Sequence, residues 1–431
     1  MSHSVVIHAH LYQPPREDPW TGTIPPEPGA APFHDWNARI THECYRPLAP
    51  LLARLSFDVG ATLADWLANE APDVLAAMVA ADRASIERLG HGNALAMPYH
   101  HVILPLASRR DKEVEVRWGI RDFERRFGRA PEGMWLPETA VDLETLDVLA
   151  AAGIAFTILA PHQVERAPLF GAPGVVRTSA TRRIAVFCYD GALSHGVAFG
   201  ALIKHPTAWY QRLRLPPDDV RAAKVVGIAT DGETYGHHHA KGIETLTQVL
   251  DRLSAADVRL DNYAAVLARN PPRQFVRLVE NTSWSCAHGI ERWRADCGCR
   301  LVEGTQQAWR GPLRQGLDEL RAEVDRLLAA WGLTTPSDPD ACRTSLPLDW
   351  HARRMFSSCG WFFDDLAGIE ARICLAHAVR AIELTGGERG RLLAGLRERL
   401  AAAACNDPAA GTGADVLDDV VARHLAGGGR G

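Results

Sequence analysis

The sequence predicts an α/β fold in which a barrel of parallel strands and helices is followed by a mainly helical domain. Two patterns support this class. The first part of the chain alternates short β-branched runs with longer amphipathic stretches, as β/α units around a parallel sheet do. After Pro271-Pro272 the apolar periodicity is helical. We therefore expect a barrel over residues 1–272, a helical domain over 273–425 and a flexible glycine-rich tail over 426–431.

Runs of β-branched and aromatic residues mark the expected strands, and three- and four-residue apolar spacing marks the expected helices. The candidate strands are Val5–His8, Ala94–Met97, Gly133–Leu136, Ala155–Leu159, Ile184–Tyr189 and Val225–Thr230. The candidate helices are Arg46–Leu55, Ala71–Leu89, Lys112–Phe127, Leu143–Ala152 and Gly242–Leu253, then Leu313–Trp331, Leu366–Leu384 and Gly390–Ala404 in the second domain.

The composition limits the class of partner. The 431 residues carry a formal net charge of −5 with interspersed signs, so we expect neither a nucleic-acid partner nor a polybasic membrane anchor. No segment approaches the ~20 apolar residues of a membrane span. Nine cysteines, an odd number, and a first segment without a signal-peptide pattern favour a reducing, cytoplasmic location. A neutral or weakly charged substrate fits these limits, and no cofactor is expected.

Polar residues concentrate where the predicted strands end. His8 and His10 close the first strand, and His101, Glu138 and Asp231 follow the second, third and last strands. The carboxyl ends of parallel strands in a barrel converge on one face. These chain-distant side chains are therefore expected to share a pocket.

Glu138 follows the apolar segment Gly133–Leu136 and a proline. A carboxylate at a strand end is held in place and partly desolvated, as a nucleophile must be. The alternative is an acid that favours the start of the helix beginning near Asp142.

A denser cluster follows the last strand. Two carboxylates and three imidazoles lie within Asp231–His239. Such a cluster is rarely structural, because its charges repel unless they are paired, protonated or metal-bound. Asp231 and Glu233 point the same way if the strand continues through them. His8 and His10 alternate in the same way. Three roles are open for them: binding a metal, hydrogen-bonding sugar hydroxyls, or packing in the core with their ring nitrogens hydrogen-bonded.

Four ordered motifs resemble glycoside hydrolase family 57, a group of α-glucan-acting amylases, glucanotransferases and branching enzymes. The matching segments are His8-x-His10-x-x-Gln13-Pro14, Gly90–Leu106, Trp135–Glu138 and Asp231–His237. The resemblance implies an incomplete (β/α)7 barrel with a helical domain that helps to close the active site. It places the nucleophile on Glu138 and the general acid/base on Asp231.

The resemblance also implies a substrate-binding set within these motifs. Its members are His8, His10, Gln13, His101, Trp135, Glu233 and His237. One position departs from the family: Asn93 stands where a glutamate is usual, which removes a charge expected near the pocket. By its order in the chain, Ser357–Asp365 takes the place of the fifth motif and adds Asp364 to the set.

The carboxylate pair predicts the reaction. In a retaining glycosidase the two carboxyl groups lie about 5 to 5.5 Å apart. One attacks the anomeric carbon, and the other protonates the leaving oxygen and then activates water or an acceptor hydroxyl. Asp231 then needs a raised pKa, which repulsion from Glu233 helps to supply. Hydrolysis and transglycosylation share the first half-reaction, so the sequence leaves both open, together with the sugar and the linkage.

Tryptophan is concentrated in the second domain, and indole faces suit the apolar faces of pyranose rings. Trp284, Trp293 and Trp361 lie in polar, Gly- or Ser-containing stretches and are the candidate sugar platforms, with core packing as the alternative.

A cysteine-rich stretch opens the second domain. Residues 284–299, with Cys359 further on, contain enough thiols for a tetrahedral zinc site. Because paired C-x-x-C hairpins are missing, the sequence favours reduced thiols that support a tight loop, and no metal. We expect Cys286, Cys297, Cys299 and Cys359 to lie in one region that closes over the barrel mouth.

Two other classes compete with this interpretation. Metal-dependent polysaccharide deacetylases and zinc α-mannosidases have related barrels that hold a divalent ion at strand ends. His8, His10, His101, Asp231 and His237 would supply its ligands here, although the first motif has histidines where an acid is normal. A non-catalytic glycan-binding barrel would also keep such a pocket, but both expected carboxylates are present.

Overall fold

The structure is a computed structural model that describes residues 3–168, 171–214, 225–256 and 258–425. Its strands are β1 Ser4–Leu11, β2 Ser56–Val59, β3 Ala94–Leu95, β4 Phe156–Leu159, β5 Gly174–Arg177, β6 Arg183–Cys188, β7 Val225–Asp231, β8 Arg259–Leu260 and β9 Gln274–Phe275. Its α-helices are α1 Trp36–Ile40, α2 Arg46–Leu48, α3 Ala61–Glu70, α4 Pro72–Leu89, α5 Arg109–Phe127, α6 Leu143–Ala151, α7 Gly191–Ala198, α8 Pro206–Arg214, α9 Gly242–Ser254, α10 Tyr263–Arg269, α11 Arg310–Ala330, α12 Pro339–Ser345, α13 Pro347–Arg354, α14 Cys359–Phe362, α15 Ile369–Glu383, α16 Arg389–Leu400 and α17 Gly413–Leu425. None of the helices in these ranges is both long and apolar enough to cross a membrane. The predicted tail, residues 426–431, lies outside the described residues.

Parallel strands form the framework. One sheet has the order β3-β2-β1-β7, with every pairing parallel. Isolated parallel bridges continue from the end of β3 through residues 133–134 to β4, which pairs in parallel with β6. A backbone hydrogen bond from Asp190 N to Gly227 O (2.7 Å) links the end of β6 back to β7. The predicted fold class, an α/β barrel followed by helices, is confirmed.

Strand β1 shows how polar residues come to lie inside the barrel. Alternate side chains of a strand point to opposite faces. Ile7 and Ala9 pack outward in the cluster formed with the surrounding helices, whereas Val6 packs inward with strand residues. His8 and His10 share the parity of Val6. The alternation therefore directs both imidazoles into the interior, and His10 into its carboxyl end.

The region before β2 differs from the sequence prediction. Strand β2 does not stand out in the sequence, because four residues are too few for a clear period-two pattern. The expected helix Arg46–Leu55 is divided: α2 ends at Leu48, and residues 49–54 form a 3-10 helix. Pro50 has no N–H to bond the carbonyl of Arg46, which explains why the α-helix stops.

The carboxyl-terminal helices pack against α5 of the barrel. Trp118 of α5 lies in one buried cluster with Trp309 and Trp350. Asp111, also in α5, accepts hydrogen bonds from Arg321 (3.2 Å) and Arg353 (2.5 Å). The helical part is thus fixed against the barrel by apolar and ionic contacts. A division into two domains near residue 272 stays a prediction.

Helix α5 approaches the barrel most tightly at Gly119, and this contact yields a stability prediction. A Cβ at Gly119 would lie 2.0 Å from the carbonyl oxygen of Met97. Gly119→Ala should therefore push the helix away from the backbone after β3 and lower the free energy of unfolding by about 1–3 kcal/mol. A Cβ at Gly395, inside α16, would have no neighbour within 4 Å. Gly395→Ala should therefore raise the free energy of unfolding by up to about 1 kcal/mol. Thermal unfolding of both variants and the wild type tests whether the two stability changes have opposite signs. A Gly119→Ala variant as stable as the wild type would contradict this packing.

Candidate functional site

Five predicted residues lie near one another at the carboxyl end of the barrel strands. His10 and Asp231 are register partners on β1 and β7. The Nε2 atoms of His10 and His101 are 3.2 Å apart. The indole of Trp284, which donates to Glu138, meets the His10 ring edge-on at a centroid distance of 6.3 Å.

Asp58 on β2 lies beneath this group and is fully buried. One carboxylate oxygen accepts a hydrogen bond from Nε2 of His8 (3.0 Å), and the other accepts one from Nδ1 of His10 (2.9 Å). Burial alone would raise the pKa of Asp58, but the charge of His10 and the two ring bonds lower it. A buried ion pair therefore joins β1 to β2 directly below the site.

The pKa of each ring fixes where its protons lie. Burial alone would lower the pKa of His10, but the charge of Asp58 and the hydrogen bond to it raise this pKa to about 9, so His10 is a cation. Burial and the charge of His10 lower the pKa of His101, which is therefore neutral. His10 donates through Nε2 to His101, and Nδ1 of His101 donates to Ser358 Oγ (2.7 Å).

Two donors from segment 284–285 hold the side chain of Glu138. Trp284 Nε1 (3.0 Å) and Ser285 Oγ (2.6 Å) both donate to Oε2 of Glu138. These two hydrogen bonds fix the position of the carboxyl group. They fall on one oxygen, so Oε1 is not engaged by either donor. Trp284 stands edge-on against Trp135, with centroids 5.1 Å apart, which fixes the indole that holds Glu138.

Glu138 and His101 share an uncommon backbone conformation. Each has a φ of 56°, in the left-handed region that few non-glycine residues adopt. In both cases the carbonyl oxygen accepts an N–H from the second half of the chain: Trp284 N bonds Glu138 O, and Ser358 N bonds His101 O, each at 3.0 Å. Strained conformations persist where the surroundings fix them, and they cluster at functional sites. The carboxyl-terminal half therefore completes this site.

Asp231 differs from Glu138 in its electrostatic surroundings. Burial raises the pKa of Asp231 to about 7, the negative charges of Glu233 and Glu138 add to this, and His10 opposes it. Because this pKa lies near neutrality, Asp231 is able both to give and to take a proton. The site thus holds one carboxylate stabilised by donors and one carboxyl group that titrates near neutral pH.

Two other predicted residues, Gln13 and Glu233, lie beside this group, and a third, His237, bonds Glu43. Gln13 donates to Glu233 Oε1 (3.3 Å) and to the hydroxyl of Tyr45 (3.0 Å), and Tyr45 also donates to Glu233. Burial raises the pKa of Glu233. His237 bonds Glu43 through Nδ1 (2.5 Å) and so ties the segment after β7 to the turn before α2. Gln13 thus supports Glu233, whereas His237 contacts Glu43 and the ring of Trp36.

His8 and Trp135 lie below the site and have no exposed surface. Both ring nitrogens of His8 are engaged, by Asp58 and by Ser56 Oγ (3.0 Å). The Trp135 ring stacks under His8 with centroids 4.6 Å apart. His8 and Trp135 thus support the residues above them, and their contact with a substrate stays a prediction.

Three residues predicted to bind sugar from the second domain are buried. Trp293 and Trp361 are 0% and 1% exposed, and each indole N–H donates to a backbone carbonyl at 3.2 Å. Asp364 accepts from the backbone N–H groups of Leu301 (2.8 Å) and Val302 (2.5 Å). The two indoles lie in the core and the carboxylate holds a loop, which favours the packing alternative for the tryptophans, and sugar binding by these three residues stays a prediction. Trp284 alone of the predicted platforms lies at the site.

Asn93 lies at the opposite end of its strand from the site. It immediately precedes β3 and is fully buried, where Nδ2 donates to Leu52 O (2.9 Å) and Oδ1 accepts from Asn262 (2.9 Å). The expectation that this position removes a charge near the pocket is wrong, because polar groups of the site follow the carboxyl ends of the strands.

Three contributing residues do not appear in the sequence prediction. Asp58 carried a signal, since Ser56 and Asp58 alternate as His8 and His10 do, but their strand is very short. Tyr45, which donates to Glu233, and Ser285, which donates to Glu138, have no local pattern. Their roles come from contacts across more than a hundred residues of chain.

Two family models match parts of this chain. The model of glycosyl hydrolase family 57 matches residues 55–279, just over half of the chain. A second model, described as a domain of unknown function (DUF3536), matches residues 344–427. A search of curated proteins found no match.

Three solved structures share the fold at low sequence identity. An exo-type maltose-forming amylase from Pyrococcus sp. ST04 has a TM-score of 0.74 at 13% identity, covering 99% of this chain and 93% of the other. A GH57-type branching enzyme from Pyrococcus horikoshii has a TM-score of 0.65 at 16% identity, covering 98% and 94%. A 4-alpha-glucanotransferase from Thermococcus litoralis has a TM-score of 0.63 at 16% identity, covering 92% and 60%.

The Asp58–His10 pair makes a prediction about protonation. In ring-labelled protein followed by NMR, the His10 signal, assigned by its loss in His10→Gln, should titrate near pH 9. Asp58→Asn should lower this pKa, because the carboxylate charge is removed while the shape is kept. Asp418→Asn, in an exposed pair with Arg397, is the matched control and should leave the titration unchanged.

The same pair affects stability. The folded pKa of His10 lies above its usual 6.5. The pair therefore contributes fully to the free energy of unfolding below about pH 6.5, and this contribution is lost as the pH rises through 9. The wild type should therefore lose more stability than Asp58→Asn across this window. Equal losses would contradict the ion pair.

Proposed function

Because the chain belongs to glycosyl hydrolase family 57, and is therefore a glycoside hydrolase, we propose that it acts on α-linked glucans by a retaining mechanism. In this proposal Glu138 is the nucleophile and Asp231 is the general acid/base. The observation that carries it is the difference between the two groups: Trp284 and Ser285 hold the carboxyl group of Glu138 in place at the strand end, whereas the pKa of Asp231 is raised to about 7. A carboxyl group whose pKa lies near neutrality suits the role of general acid and base.

Each group then has one task in each half-reaction. In the first, the carboxylate of Glu138 attacks the anomeric carbon while the proton of Asp231 passes to the departing glycosidic oxygen, so the glycosidic bond breaks and a glycosyl ester forms. In the second, ionised Asp231 takes a proton from water or a sugar hydroxyl, whose oxygen attacks the same carbon and releases Glu138. The cation of His10 stabilises Asp231 between these steps, because it favours the charged form.

The substrate class follows from family membership and the similar structures, which are named for amylase, branching-enzyme and glucanotransferase activities. Trp284, partly exposed beside Glu138, is the proposed platform for a pyranose ring.

The metal-dependent alternative gains no support, because the histidines that would hold the ion already have hydrogen-bond partners. His8, His10 and His101 are engaged with Asp58, Ser56, Ser358 and one another. We also propose a cytoplasmic location, because none of the nine cysteines is in a disulfide.

Replacing the two carboxyl groups should produce different kinetic defects. Glu138→Gln should lower kcat/KM on an α-glucan by at least about a thousandfold, because no other group forms the ester. Asp231→Asn should lower kcat/KM on that substrate by as much. It should retain the first step with an activated aryl glycoside, because the aryl leaving group departs without protonation. The glycosyl-enzyme should then accumulate and be detected by intact-protein mass spectrometry.

Added azide separates the roles further. It should restore turnover of Asp231→Asn with retained anomeric configuration, and of Glu138→Gln only with inverted configuration, as read by NMR of the products. Glu165→Gln, on the exposed surface, is the control and should behave as wild type. Near-normal turnover by Glu138→Gln would overturn the assignment.

The raised pKa of Asp231 predicts the pH dependence. For a substrate with a poor leaving group, kcat/KM should fall as the pH rises through about 7, because Asp231 loses its proton. Glu233→Gln removes a negative charge that raises this pKa, so the alkaline limb should move to lower pH. The measurement is a pH profile of both proteins with Glu165→Gln as control. An alkaline limb that is unchanged in Glu233→Gln would contradict the proposed coupling.

A further inference from the structure

Four potential ligands converge on one point outside the proposed catalytic pair. The Sγ atoms of Cys286, Cys297 and Cys299 and a ring nitrogen of His288 all lie within 4.8 Å of one another. Among the described residues, this is the one group of three or more such side chains with that arrangement. Cys359, expected here from the sequence, lies instead among the barrel residues, and His288 takes the fourth place.

The separations within the cluster match a tetrahedral metal centre. With Zn–S bonds of about 2.3 Å and a Zn–N bond of about 2.0–2.1 Å, a tetrahedron sets two sulfurs about 3.8 Å apart and a sulfur and a nitrogen about 3.5 Å apart. Cys286 Sγ lies 3.8 Å from both Cys297 Sγ and Cys299 Sγ. Cys299 Sγ lies 3.5 Å from His288 Nδ1. These sulfurs are too far apart for a disulfide, whose bond is about 2.05 Å.

The surrounding charges also fit. Three thiolates and a neutral imidazole around Zn²⁺ carry a net charge of −1, which a nearby cation offsets. Arg310 is fully buried and donates to the carbonyl oxygen of Cys299 (2.9 Å). Arg292 is buried too, and its Nε and Nη1 atoms have no hydrogen-bond partner in the described part of the chain.

The chain around the cluster lacks the regular structure that would otherwise hold it. Between Phe275 and Arg310 the helical content is one short 3-10 turn, Glu291–Trp293. Irregular segments of this length in compact domains are uncommon and need other constraints. Gly298, between two of the cysteines, has a φ of 78°, which lets the chain turn sharply there.

We propose that Cys286, His288, Cys297 and Cys299 form a structural zinc site. Its four protein ligands leave no position for a substrate, as in closed structural sites. Zinc here joins the two arms of the irregular segment and fixes the residues just before Cys286. Those residues are Trp284 and Ser285, the donors to Glu138. The site therefore links metal binding to the geometry of Glu138, although the proposal does not depend on the reaction assigned to that residue.

Elemental analysis tests the proposal directly. Protein expressed with added Zn²⁺ and purified under reducing conditions should contain about one zinc ion per chain by inductively coupled plasma mass spectrometry. Cys299→Ser and Cys297→Ser should lose it. Cys405→Ser, a partly exposed thiol outside the cluster, is the matched control and should keep it. Equal zinc contents in Cys299→Ser and Cys405→Ser would overturn the proposal.

A second measurement uses only the wild type and so does not depend on the folding of a variant. After chelation, titration with Co²⁺ should produce visible d–d bands of tetrahedral cobalt and a near-ultraviolet thiolate charge-transfer band. Chelation should also lower the thermal unfolding temperature, and Zn²⁺ should restore it. Wild-type protein that is folded, free of zinc as purified and without cobalt bands would overturn the proposal, whatever its activity on glucans.

Discussion

The charge of Asp58 is the constraint on which the rest of the site depends. A carboxylate with no exposed surface is costly unless it is paired and fully hydrogen-bonded. His10 supplies the cation, and His8 supplies the second ring donor. Because His10 is charged, its neighbour His101 must be neutral and accept a hydrogen bond from the Nε2–H of His10. One buried charge on a four-residue strand therefore sets the protonation of both histidines above it.

The same cation lies next to a second buried acid. His10 favours the ionised form of Asp231, while burial and Glu233 favour the protonated form, and the balance leaves a pKa of about 7. Glu233 in turn is held by Gln13 and by the hydroxyl of Tyr45. The proton of Asp231 thus depends on residues from three separate parts of the barrel. Such a balance is sensitive to each charge, which suits a group that gives and takes a proton.

The second half of the chain completes what the barrel begins. Glu138 and His101 adopt left-handed backbone conformations, and each carbonyl is bonded by an N–H from beyond residue 283. The donors to the Glu138 carboxylate come from the same region, next to the proposed zinc cluster. Packing of Trp118 with Trp309 and Trp350 keeps the two halves in contact. The helical part is therefore a component of the site, and its buried tryptophans serve packing.

The sequence by itself determined the parallel α/β class and the polar residues at the strand ends, because alternation and strand-end position are local patterns. It placed His10, His101, Glu138 and Asp231 at one end of the barrel for this reason. Only the tertiary structure decided the partners of those residues. Asp58, Ser285 and Tyr45 act through contacts with chain-distant groups, and Trp293 and Trp361 differ from Trp284 only in what covers them. Burial and pairing arise between segments that are far apart in the chain, so no local spacing encodes them.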